Sequence, residues 1–145
     1  MPLHLIKLCV GCGSPEQLKL GHAEELADLE ARGRPRELVH TTRQFPRRKD
    51  DILPGGSLYW VMKGVILVRQ PLVDLRAVTG ADGIERCEIV YDEAIIHVRP
   101  TPRRAFQGWR YLNPADAPPD VGGRGSDFSR IPAAMRVKLL ELGLL

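Results

Sequence analysis

Long apolar runs are missing from this chain of 145 residues. No segment approaches the roughly 20 consecutive apolar residues that a spanning helix needs, so no membrane partner is expected. The opening Met1-Pro2-Leu3-His4-Leu5-Ile6-Lys7 has no basic region followed by an apolar core, and no secretory leader is expected. Cysteine is scarce. Three residues cannot all pair within one chain, and the expected compartment is the reducing cytoplasm. Net charge is weak: +3 is too little to argue for nucleic acid by itself, so the placement of charge matters more than its sum. Internal repeats are absent. So are a Gly-x-Ser-x-Gly elbow, paired histidines at helical spacing and a full Gly-x-Gly-x-x-Gly turn, which leaves no catalytic residue to nominate.

What is present is ordinary globular composition, 43% hydrophobic and 27% charged, enough for one domain over residues 1–145. The organising stretch is Gly55 to Gln70, the most apolar and β-prone run. In it Leu58, Trp60 and Met62 share one strand face, and Tyr59, Val61 and Lys63 share the other. Gly64 marks a bulge or sharp bend, and Pro71 an edge or kink before a further strand over Leu72 to Val78.

Ahead of this run, Leu3 to Val10 reads as a strand buried on both faces. Ser14-Pro15-Glu16-Gln17 is a helix start with a capping serine, a proline at the first helical position and a glutamine able to reach back. Leu18, His22, Ala23, Leu26 and Leu29 form the stripe of that helix, which Gly33-Arg34-Pro35 ends. A short strand is expected at Leu38-Val39-His40, and a single helical turn beginning at Pro46. Beyond the run, Thr79 to Gly83 is a turn, and two strands flank Asp92-Glu93. Residues 113–128 form an extended loop, before a C-terminal helix that starts near Pro132.

The pattern predicts an α+β domain: a small, strongly curved, partly closed and mainly antiparallel β-sheet with an N-terminal and a C-terminal helix.

Cys9-Val10-Gly11-Cys12 has the spacing of a metal-ligand or redox pair. No matched second pair follows, and Cys9 falls within an apolar strand, so neither a metal nor another cofactor is expected. The constellation that does carry chemistry is basic and aromatic. Arg43, Arg47, Arg48 and Lys49 interleave with Phe45; Arg103, Arg104 and Arg110 interleave with Phe106, Trp109 and Tyr111. Lys63 and Arg69 lie in the run between the two clusters, as does Tyr59. Guanidinium groups bind phosphate bidentately and stack on bases, and exposed rings stack bases too. The expected surface therefore combines anion-binding Arg43, Arg47, Arg48, Lys63, Arg69, Arg103, Arg104 and Arg110 with stacking Phe45, Tyr59, Phe106 and Trp109, the two clusters meeting around Gly64. Trp109 as a core residue is the alternative.

The run of Thr42-Arg43, Pro46-Arg47-Arg48, Gly55 to Gly64, Pro102-Arg103-Arg104 and Phe106 to Leu112 resembles a bacterial family of domains of unknown function. The likeness extends from Leu5 to Pro119, over nearly the whole chain, and implies neither an activity nor catalytic residues. In layout the chain is also similar to the small β-barrels of the PUA and ASCH superfamily, many of which bind RNA or modified nucleobases. The leading expectation is a non-enzymatic nucleic-acid-binding module, with RNA as its partner. A small enzyme acting on a phosphorylated or nucleotide-like substrate is the runner-up. A protein-interaction module docking through the last helix, including a homodimer, is the third reading.

Overall fold

The computed structural model describes residues 2–121, and both the expected C-terminal helix and the end of the 113–128 connection lie outside them. Strand β1 (His4–Leu8) leads through a turn into helix α1 (Pro15–Ala31). The helix starts where its sequence dictates. Ser14 is extended, and its hydroxyl accepts from Gln17 N at 3.2 Å. Gln17 returns the contact one residue earlier than a capping box would, accepting from Gly13 N at 2.7 Å. Pro15, Leu18, His22 and Leu26 are the buried face, while Ala23, expected on it, points to solvent.

Strand β2 (Leu38–Thr42) is longer than expected, and α2 (Lys49–Ile52) starts three residues after the expected Pro46. Strands β3 (Ser57–Met62) and β4 (Val65–Thr79) follow. Between them Gly64 does not bend a continuous strand. Lys63 and Gly64, at φ 48° and 81°, form a two-residue hairpin turn, with Met62 paired to Val65 across it. Positive φ at both central residues matches the right-handed twist of the flanking strands.

Strand β4 is the spine. Its first half pairs with β3 on one side and with β6 (Ile96–Pro102) on the other; beyond Pro71 it pairs with β5 (Glu85–Tyr91). The two strands flanking Asp92-Glu93 therefore do not form a hairpin with each other. Each takes a different half of β4. Strand β7 (Trp109–Leu112) pairs antiparallel with β1, which itself runs parallel to β3. The result is an α+β fold with one seven-stranded, mostly antiparallel sheet in the order β2-β5-β4-β3-β1-β7, with β6 joined to β4.

The sheet is not closed, because β2 and β7 end it without pairing to each other. It nevertheless curls. The rings of His40 on β2 and Trp60 on β3 stand 6.0 Å apart, although two strands intervene. At about 4.8 Å per strand, a flat sheet would hold them more than twice as far apart.

The two faces carry different cores. The concave one holds the main core: Leu5, Leu58, Met62, Leu75 and Ile89, with Leu18 and Leu26 of α1 laid over it. The other face has a smaller cluster of Ile6, Tyr59, Val61, Ile66, Val98 and Leu112. That smaller cluster is flanked by residues 117–121. Asp120 bridges to Val98, Arg99 N donates to Pro119 O at 2.8 Å, and Val121 N donates to His97 O at 2.9 Å.

The main core contains a polar thread. Gln70 is fully buried, and its Oε1 accepts from Trp60 Nε1 at 2.8 Å and from His22 Nε2 at 3.0 Å. Since Oε1 only accepts, His22 must carry its proton on Nε2. The Gln70 amide donates to Asp92 O at 3.0 Å, so every polar group at this point has a partner.

Candidate nucleic-acid interface

Two arginine-rich segments of the sequence contain no acidic residue. Residues 38–49 carry Arg43, Arg47, Arg48 and Lys49; residues 94–115 carry Arg99, Arg103, Arg104 and Arg110. Their meeting place is β7. The second segment runs directly into that strand. The first is tied to it by two hydrogen bonds: Trp109 Nε1 donates to Gln44 O at 2.9 Å, and Arg48 N donates to the Tyr111 hydroxyl at 3.3 Å. The expected convergence around Gly64 is thus displaced to β7. The second segment also reaches the hairpin, where Pro102 pairs with Val65 and Arg103 N donates to Gly64 O at 2.8 Å.

Ion pairing sorts the arginines. Arg32, Arg36, Arg76 and Arg86 are each held by carboxylates. Among the described residues, Arg43, Arg47, Arg99, Arg104 and Arg110, all exposed, and half-buried Arg103 have no acidic partner. Exposed Lys63, at the hairpin tip, has none either. The free arginines therefore lie on the two segments that meet at β7, with exposed Arg34 after α1 the exception among the described residues.

Arg48 and Arg69 are placed differently. Arg48 pairs with Asp51 at 3.0 Å. Arg69 grips Asp120 with two parallel bonds of 2.8 Å and sends a third, also 2.8 Å, to Ser57 Oγ. That fork holds the 117–121 segment and raises the guanidinium pKa further, while it draws the Asp120 carboxyl below its ordinary value. Beside it, His4 Nδ1 accepts from Ser57 N at 2.9 Å, which requires an unprotonated Nδ1. Burial, and then the Arg69 charge, push the His4 pKa down.

The aromatic residues also divide. Phe45 is 36% exposed, with the Lys49 ammonium 5.9 Å from its ring. Phe106 is half-buried, and the guanidinium carbons of Arg103 and Arg110 each stand 5.5 Å from its ring. Tyr59 and Trp109 are buried, so neither offers a free face for a base to lie on. Trp109 belongs to the main core and packs edge-on against Tyr111 at 4.9 Å.

Sequence reasoning left Arg99 out of the anion-binding set and passed over Lys7. Lys7 sits on β1 in register with Trp60 on one side and Trp109 on the other. It is half-buried, has no acidic partner among the described residues, and burial lowers its pKa. His40 lies close enough for the Lys7 charge to depress its pKa, adding to the larger effect of burial. A lysine inside an otherwise apolar strand was the available signal. No group of three or more metal-capable side chains forms among the described residues, and no helix there is long and apolar enough to cross a membrane.

Fold and surface together define an α+β protein whose unpaired arginines border one end strand of a curled sheet. The chain belongs to the family described as protein of unknown function DUF1489, whose model matches residues 5–145. No curated protein and no solved structure matches it.

Proposed function

We propose that the protein is a nucleic-acid-binding module that takes single-stranded RNA along β7. One observation carries this reading: the two acid-free arginine segments are drawn to the same strand, while arginines elsewhere among the described residues, Arg34 apart, pair with carboxylates. Unpaired guanidinium groups clustered without counter-charge favour a polyanion, whose phosphates they neutralise. The guanidinium groups of Arg103 and Arg110, each 5.5 Å from the Phe106 ring, take over in this reading the base-stacking role first assigned to the rings themselves. We propose the cytoplasm as the compartment in which it acts.

The test is a titration with single-stranded RNA across a range of salt. Affinity should fall with salt at a log-log slope of roughly −0.7 per phosphate contacted. Changing Arg43, Arg47 and Arg104 together to Ala should flatten that slope by about two to three contacts, whatever the RNA sequence. Arg36→Ala and Arg86→Ala, which remove arginines already paired, should leave it unchanged. Equal losses from both sets would remove β7 as the site.

The runner-up, a small enzyme on a nucleotide-like substrate, is favoured by Lys7: a half-buried amine, with no carboxylate partner, between two tryptophan positions. Tight, salt-insensitive binding of a nucleotide, lost in Lys7→Met and without affinity for RNA, would put this reading first.

A further inference from the structure

The turn between β1 and α1 holds two thiols with no part in the surface above. Cys9 continues β1, its N–H donating to Val61 O at 2.9 Å. Three residues on, Cys12 N donates to Cys9 O at 3.2 Å, and Gly11 between them takes φ 74°. A hydrogen-bonded turn of this kind brings its first and last Cα within about 7 Å, next to the range of roughly 4.4–6.8 Å that a disulfide spans. Gly11 supplies the left-handed conformation that lets the chain double back so tightly.

Both side chains pack at the margin of the main core, half-buried rather than sealed. Cys12 Sγ donates to Ser14 O at 3.2 Å, and burial, then the neighbouring Cys12 thiol, raise the Cys9 pKa. The third cysteine, Cys87, is fully buried on β5.

We propose that Cys9 and Cys12 form a reversible two-electron redox site that exchanges with small disulfides such as glutathione disulfide. The Cys12 thiolate attacks one sulfur of glutathione disulfide. A protein–glutathione bond forms, the glutathione S–S bond breaks, and one glutathione thiolate leaves. Cys9, its proton given to solvent, attacks the Cys12 sulfur, forms the Cys9–Cys12 bond and expels the second glutathione thiolate. The protein loses two electrons and two protons; glutathione disulfide gains both. Cys12 is the first nucleophile. Cys9 is disfavoured as a thiolate by burial and by its neighbour, and the second cause vanishes once Cys12 is capped. The ring closed by so few residues constrains the unfolded chain little, so the bond should be easily reduced.

The experiment uses the reduced full chain in buffers of graded glutathione and glutathione disulfide. Thiols reactive in the native protein should fall from two to none as the buffer becomes oxidising, and peptide mapping should find Cys9 joined to Cys12. Cys87 should stay unreactive until the chain is unfolded. Cys9→Ser should stop at a glutathione adduct on Cys12. Should that variant fail to fold, the map of the parent chain decides alone. An adduct persisting on Cys12 in the parent would overturn the proposal. So would native thiols that survive a buffer in which the urea-unfolded chain is oxidised.

Discussion

His4 shows how a single residue links acid sensitivity to this fold. Its Nδ1 is an acceptor for Ser57 N, and burial beside Arg69 opposes any added proton. In the unfolded chain the imidazole protonates near pH 6.5; in the folded one it does so at lower pH. Below about pH 6.5 the unfolded state therefore binds more protons, and stability falls as pH falls. Each such group contributes up to about 1.4 kcal/mol per pH unit between its two pKa values. His40 and His97 are also depressed, chiefly by burial, and act with the same sign. His4→Asn keeps an acceptor for Ser57 N–H but cannot titrate. Denaturant unfolding at a series of pH values should show a shallower loss below pH 6.5 in this variant. An unchanged slope would mean that His4 is protonated in the native state.

Among the elements, the β3–β4 hairpin separates what the sequence reveals from what it hides. Helix α1 was legible because its signals are local: Ser14, Pro15 and Gln17 sit where a helix needs them, and Leu18, His22 and Leu26 recur at helical spacing. The hairpin was not, since Lys63-Gly64 lacks the usual Asn or Asp ahead of the glycine, and the surrounding apolar run reads as continuous. Nor could strand pairing be read. Whether β6 joins β5 or β4 depends on where β4 bends at Pro71, and periodicity contains no such information. For the surface, the arginines were visible as a cluster, but which of them carboxylates neutralise is a fact of three dimensions. Trp109 makes the same point, because an aromatic residue on a short strand looks alike whether buried or free. The hairpin also yields a prediction. A lysine at φ 48° is held in a conformation that costs most side chains roughly 1–2 kcal/mol, and asparagine tolerates it better. Lys63→Asn should stabilise the protein by up to about 1 kcal/mol in urea unfolding, whereas Lys63→Val should destabilise it.

Across the whole molecule, the open end of the sheet has a second consequence. Strand β7 pairs only with β1, and its other edge meets no strand among the described residues. An edge like this is a template for another chain's backbone, and long charged side chains are a common way of keeping such partners off. Arg110 on β7 and the arginines beside it supply that charge. The residues proposed to attract RNA would thus also act as gatekeepers against self-association, and the two roles are removed together. Arg104→Ala with Arg110→Ala should therefore make sedimentation newly concentration-dependent, through β7 edges docking on one another, while Lys substitutions at both positions should leave sedimentation as in the parent. A titration that shows lost binding in the alanine variant then needs its sedimentation record beside it, since an edge sealed by a second copy would give the same loss as a missing phosphate contact.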